Sequence, residues 1–334
     1  MVDVLRLTRE LIDIPSVTGE EFQIGTSLGD LLVRLGYHVE LQDISPERSN
    51  IIATTQAKPR VVLSTHMDTV PPFIASSEDD EFIYGRGACD AKGIIAAQIA
   101  AAERLRGDGI DEIGLLFTVD EEVTSVGAKI ANEHPIAESC EFLINGEPTD
   151  NRLAIGTKGS VQATISAQGR AAHSAYPEQG ESAIEKLLDA LARIRKIPMP
   201  ADAALGPSTL NIGVIGGGRA PNVIPDDARA EIFYRLVDSG ESLQAATIDA
   251  VNGLAEAKQV LIIPAIHLGS MEGFETAVMS YTTDIPAFNG AWGKPYLIGP
   301  GSIHVAHTNE ERIPKTEITE AIQIYEKLVR RLIQ

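Results

Sequence analysis

The tightest constraint in this chain is the run Val61-Val62-Leu63-Ser64-Thr65-His66-Met67-Asp68-Thr69-Val70-Pro71, an apolar segment that passes without a break into a histidine and an aspartate. A short β-branched and apolar run of this kind reads as a strand buried on both faces, and such strands belong to sheets covered by helices. Residues i and i+2 of an extended segment point to the same side. His66 and Asp68 therefore share a side, where Asp68 can hold one imidazole nitrogen of His66 while the other faces a metal.

Comparable strand patterns cover residues 37–41, 50–54, 113–118 and 142–144. They alternate with helical patterns: 2–14, ended by Pro15; a helix after Thr18, whose hydroxyl with Glu21 suggests a capping box; and an Ala-rich stretch over 93–105. This alternation predicts an α/β domain with a mainly parallel sheet. The middle of the chain reads differently. Strands are expected over 159–167, 209–215, 228–236 and 260–266, with an amphipathic helix over 182–194 and a further helix over 242–255. That is an α+β unit of the size of an independent domain. A final helix over 316–332, with Ile318, Ala321, Ile322, Tyr325, Leu328 and Leu332 on one face, should return to the first domain. Since 334 residues exceed what one core of about 250–300 residues holds, two domains are expected: residues 1–157 with 268–334, and an inserted unit over 158–267.

Composition narrows the function. With 44% hydrophobic and 22% charged residues the chain reads as globular rather than disordered. A net charge of −19 argues against nucleic acid and anionic membrane as partners, which need clustered Lys and Arg. Cys89 and Cys140 are too few for a disulfide framework or a thiolate zinc site, and both are expected reduced. Met1-Val2-Asp3-Val4-Leu5-Arg6 has no signal-peptide character, and the apolar tract over 93–102 is short and broken by Gln98. A cytoplasmic protein is expected.

Further acidic or imidazole clusters fall where strands or loops end. Asp90 lies in the glycine-rich segment over 85–93, Asp120-Glu121-Glu122 follows the strand over 113–118, Glu147 follows that over 142–144, and His304 and His307 follow Gly299-Pro300-Gly301. In a parallel sheet the carboxyl ends of strands share one edge, so these clusters can meet. Singly, each has a plainer reading: a hydrogen-bonded structural histidine, a solvated acidic loop, Asp90 as a helix N-cap, Glu147 as a turn residue before Pro148. Together, two imidazoles with three or four carboxylates and no thiolate suit a pair of divalent cations, zinc above all. One carboxylate of the Glu121-Glu122 pair would then bind metal, and the other would stay free as a base.

The ordered set His66-Met67-Asp68-Thr69-Val70-Pro71, Gly85 to Gly93, Asp120-Glu121-Glu122, Gly146-Glu147-Pro148-Thr149 and Ala306-His307 resembles the metal-site motifs of the M20 family of metallopeptidases and amidohydrolases. That family includes acetylornithine deacetylase, succinyl-diaminopimelate desuccinylase, aminoacylase and carboxypeptidase G2, and the resemblance spans essentially the whole chain. It implies two metal ions, zinc foremost with cobalt or manganese as alternatives: one held by His66, Asp90 and Glu147, the other by Asp90, Glu122 and His307. Asp68 would orient His66, and Glu121 would be the general base acting on a metal-bridging water. The inserted unit would be a lid and homodimerisation domain. Its segment Gly169 to Pro177 resembles the one whose histidine, here His173, stabilises the oxyanion from the opposite subunit. The loop Gly216-Gly217-Gly218-Arg219-Ala220-Pro221-Asn222 lacks the Lys-Ser or Lys-Thr of a phosphate loop and is similar to the family's lid loop, in which Asn222 touches substrate. Arg235 and the amides near Gly299 and Gly301 resemble positions that hold a substrate carboxylate. The segment Ala306-His307-Thr308-Asn309 lacks the proline often found two residues after the metal histidine, and His304 offers a second imidazole. The reaction implied is amide hydrolysis, of an N-acyl amino acid or of a dipeptide or other short peptide. A non-catalytic metal-binding scaffold is the remaining alternative.

Overall fold

In the computed structural model, which describes residues 2–55 and 58–334, the adjacent Val62 and Leu63 enter separate hydrophobic cores. Met1, the first residue of the expected catalytic domain, lies outside the described residues. In chain order the main elements are helices α1 (Val4–Ile12) and α2 (Phe22–Arg34), strands β1 (His38–Ser45), β2 (Arg48–Thr54) and β3 (Val61–His66), and helix α3 (Gly93–Gly107). Strands β4 (Ile113–Thr118), β5 (Phe142–Asn145) and β6 (Gly159–Gln168) follow, then α4 (Ala183–Ile194), β7 (Thr209–Gly217), β8 (Asp227–Leu236), α5 (Glu241–Val251), β9 (Glu256–Ile263), β10 (Lys294–Leu297) and α6 (Lys315–Leu332). The chain divides into two compact units. The first is Met1–Ile155, Leu268–Ala277 and Thr283–Gln334; the second is Gly156–His267 and Val278–Thr282.

The first unit is built on a six-stranded sheet of order β1-β2-β4-β3-β5-β10. Strands β4, β3, β5 and β10 pair in parallel, with Leu63 opposite Leu115, His66 opposite Thr118 and Ser64 opposite Asn145. β1 and β2 are antiparallel to their neighbours, so the sheet is mixed rather than parallel throughout. The reason is local: β1 returns into β2 through Pro46 and Glu47 alone, and a parallel partner needs a crossover of a dozen residues or more. One core joins Val61, Leu63, Leu115, Phe117 and Ile144 to residues of α1, α3 and α6. The other joins Ile52, Val62, Leu116 and Leu143 to Ala128, Ala131, Phe288 and Trp292. Apolar positions on both faces of β3 therefore mean helices on both faces, and the polar residues are left to the strand ends. No capping box forms at α2. Thr18 donates to Asp68 instead, and the buried Glu21 is taken by Arg48 through two contacts of 2.7 Å.

The second unit carries an antiparallel sheet of order β7-β8-β6-β9. Alternation along β6 and β8 places Val161, Ile165, Ala230 and Ile232 in a core with Leu187, Leu191 and Ile194 of α4 and Leu243 and Val251 of α5. Ser182 caps α4, its hydroxyl accepting the Glu185 amide at 3.2 Å. β9 begins and ends earlier than the sequence suggests. Ala257 packs against the core, and Pro264 follows the last strand residue. Both cysteines are free and buried, and no helix among the described residues is long and apolar enough to cross a membrane.

Candidate metal centre

The site forms at the carboxyl ends of β3, β4 and β5 in the first unit, where the backbone leaves the sheet and side chains turn over its edge. His66 closes β3. Its Nδ1 donates to the Asp68 carbonyl oxygen at 2.9 Å, with the Asp68 carboxylate at 3.4 Å, so the nearer brace is the main chain. The Asp68 carboxylate has other work as well: it accepts from the Thr18 hydroxyl at 2.8 Å and from the amides of Glu121 and Glu122 at 3.1 and 3.2 Å. One buried carboxylate thus braces His66 and pins the loop after β4. A second brace on that loop is Asp120, which accepts from Arg48 at 2.8 Å. Asp120 holds φ at +70° and His307 at +63°, backbone angles that a side chain makes costly and that cluster at functional sites.

Asp90 lies in an irregular stretch before α3, with φ −131° and ψ 85°, and is not a helix cap. Its Oδ1 is 3.0 Å from His66 Nε2 and its Oδ2 is 3.2 Å from His307 Nε2, so one carboxylate faces both imidazoles. Glu122 approaches His307 Nε2 at 3.0 Å. Ligand-capable atoms of His66, Asp90 and Glu122 lie within 4.8 Å of one another. Glu147, just beyond the end of β5, feels the charges of His66, Asp90 and Glu122; it is 4% exposed, and among the described residues its Oε1 has no hydrogen-bond partner. His304 is exposed, and among the described residues it makes no ion pair with these carboxylates; His307 is the imidazole that does.

The electrostatics are those of a nest of anions. Burial, then the neighbouring Glu147, pushes the Glu121 carboxyl well above its ordinary range, and burial, then Asp90, does the same to Glu147 against the pull of His66. Burial also raises Glu122, although His307 opposes it. Burial disfavours an ionised Asp90, yet hydrogen bonds from His307 and His66 take it below the usual carboxylate range. His307, bonded to Asp90 and Glu122, is raised to about 10. An orphaned carboxylate oxygen, clustered acids that resist ionising and two imidazoles form a donor set that suits divalent cations.

Asp284 escapes a reading of the sequence. It sits before the short helix Ile285–Phe288, fully buried, and accepts from the Thr118 hydroxyl at 2.8 Å, while among the described residues its Oδ1 has no hydrogen-bond partner. Burial raises it to about 6, and its charge acts in turn on Glu121 and Glu147.

Of the remaining candidates, His173, Asn222 and Arg235 belong to the second unit, and Gly299 and Gly301 to the first. His173 and Asn222 are neighbours in the second unit: Ala172–His173 pairs with Val223–Ile224, and the Ser174 amide donates to the Asn222 carbonyl at 3.0 Å. His173 is exposed, and its Nδ1 accepts the Ala175 amide at 3.1 Å. Arg235 is half-buried, its guanidinium 4.9 Å from the Phe233 ring centroid and lowered from its ordinary pKa by burial, with no ion pair among the described residues. The Gly301 amide donates to Glu317 Oε2 at 2.8 Å and that of Gly299 to Thr149 Oγ1 at 3.0 Å, so both are already engaged.

Residues 62–331 match the model of peptidase family M20/M25/M40. The chain belongs to this family. A peptidase M20 domain-containing protein of Schizosaccharomyces pombe is 37% identical over 98% of this chain and 84% of its own. A probable carboxypeptidase of Aspergillus niger is 36% identical over 99% of this chain and 90% of its own. Among solved structures, a tripeptidase from Staphylococcus aureus superposes with a TM-score of 0.81 over 98% of each chain at 22% identity, a likeness of fold. M20 membership makes this chain a metal-dependent hydrolase acting on amide bonds.

Proposed function

We propose that the chain hydrolyses the amide bond on the amino side of a residue with a free carboxylate, releasing an amino acid from an N-acyl group or from the end of a short peptide. The observation that carries this reading is the convergence of His66, Asp90, Glu122 and His307, with Glu121 held beside them by the bond from its amide to Asp68. In it, His66, Asp90 and Glu147 hold one divalent cation, and Asp90, Glu122 and His307 the other, zinc being the expected metal. Two such ions supply Lewis acidity to an amide carbonyl and to water. Glu121, with its raised proton affinity, takes a proton from the attacking water and delivers it to the departing amine nitrogen. His173, whose Nδ1 is an acceptor to the Ala175 amide, has Nε2–H as the donor for the oxyanion, supplied from the partner subunit of a dimer formed through the inserted unit. Arg235, half-buried and lacking a carboxylate partner among the described residues, is the fork for the substrate carboxylate, and Asn222 lies beside the oxyanion donor.

N-acyl amino acids and carboxypeptidase substrates share this amide and carboxylate. The name carried by the 36% identical Aspergillus niger relative favours the peptide form. With zinc or cobalt loaded, Glu121→Gln should keep its metal and lose roughly 10²–10⁴-fold in kcat. A panel of N-acetylornithine, N-acetyllysine, succinyl-diaminopimelate and dipeptides, each with its carboxylate free or amidated, reads the rest. Loss of turnover on amidation is expected, whereas equal turnover of carboxyl-amidated substrates contradicts the proposal. Unchanged turnover by Glu121→Gln contradicts the mechanism.

A further inference from the structure

Arg86 and Glu311 are 2% and 1% exposed, and neither belongs to the candidate ligand set. Glu311 Oε2 accepts Arg86 Nη1 at 2.5 Å, while Oε1 accepts the amides of Gly87 at 2.9 Å and Asp90 at 3.3 Å. The Gly85 amide donates to the Glu311 carbonyl at 3.1 Å. Arg86 extends the tie, Nη1 donating to the Thr308 carbonyl at 3.2 Å and Nε to the Pro72 carbonyl at 3.3 Å. A single buried pair thus joins the three segments that carry His66 and Asp68, Asp90, and His307.

We propose that the Arg86–Glu311 pair is a positioning device that fixes Asp90 against His307 and so sets how tightly the nest between them retains a divalent cation. The proposal rests on the metal-centre reading above. Stability alone gives no reason for such a pair, since apolar residues of the same volume often serve a core as well as a buried ion pair. What apolar residues lack is an acceptor for two amides of the Asp90 loop and a fork for two carbonyls of the flanking segments. Because the Asp90 amide is bonded to Glu311, the Asp90 carboxylate moves with the segment that carries His307. The opposite charges of Arg86 and Glu311 cancel, so the tie adds no net anion to the nest of Asp90, Glu122 and Glu147.

The test is zinc retention by the full-length chain, measured by equilibrium dialysis with no substrate present. Glu311→Gln should hold one of two zinc ions about 10–100-fold more weakly than the wild type, the range for residues that brace metal ligands. Added zinc should restore kcat with KM unchanged, a split that general loosening of the fold does not produce. Arg86→Lys keeps the charge but loses the fork, and is expected to weaken zinc in the same way; it decides the matter if Glu311→Gln does not fold. Wild-type zinc affinity in both variants overturns the proposal while leaving the metal-centre reading intact. A wild-type chain that takes up no zinc overturns that reading, and this proposal with it.

Discussion

At the scale of single residues, the balance of charge around Glu121 decides what the metal-free protein can tolerate. Asp284 is raised to about 6, from an ordinary 3.8, by burial and by neighbours that include Asp68. A carboxyl whose pKa rises on folding carries a penalty that is absent below the unfolded value and complete above the folded one. Two units correspond to about 3 kcal/mol, so Asp284→Asn should stabilise the metal-free chain by that order near pH 8 and leave it unchanged near pH 4. Urea unfolding at the two pH values checks this, and equal effects at both contradict it. Asp284 was invisible in the sequence because its partner Thr118 is 166 residues away and its own segment has no strand or long helix to place it. The pairing of Arg86 with Glu311, separated by 225 residues, was hidden for the same reason.

At the scale of elements, strand ends carry the site and glycines let them approach one another. The Gly146 amide donates to the Ser64 carbonyl at 2.7 Å, and a Cβ on Gly146 would lie 2.3 Å from Ile94 Cγ2 and 2.6 Å from Gln98 Nε2. Gly146→Ala should therefore cost about 1–3 kcal/mol, the range for overpacking a close-packed core. It should also displace Glu147 and weaken metal binding, because α3 cannot yield without moving Ile94 and Gln98. A stability within error of the wild type contradicts this. β3, β4 and β5 were legible because their apolar runs end at His66, Thr118 and Asn145, each two positions before a carboxylate, Asp68, Asp120 and Glu147. Strand direction was less so: apolarity reports burial on both faces, whereas the antiparallel edge depends on a hairpin turn of two residues. The capping box between Thr18 and Glu21 was misread because tertiary partners, Asp68 and Arg48, outcompeted a local pairing. Asp68 was legible as the neighbour of His66, but not as the acceptor for two amides of a loop 53 and 54 residues away.

At the scale of the whole molecule, the metal-free protein should respond to pH and the metal-loaded protein should not. His307 is raised to about 10 by Asp90 and Glu122, while burial raises Glu121, Glu122 and Glu147. Folded without metal, the chain holds protons at these positions that the unfolded chain releases. Their contribution to stability is therefore present at low pH and lost as pH rises toward about 10. Cations compete for the same lone pairs, so loading should release protons and flatten the dependence. Thermal scans of stripped protein between about pH 5 and about pH 9 should show a falling midpoint that saturating zinc abolishes. The central claim, a two-cation nest that drives amide hydrolysis, is tested most directly by titrating zinc into stripped protein while metal content and turnover of a free-carboxylate amide are read together. Turnover that is absent in the stripped chain and rises to a plateau at two ions per chain is the expected result. Full turnover without metal, or binding of two ions with no hydrolysis of any amide in the panel, would contradict it.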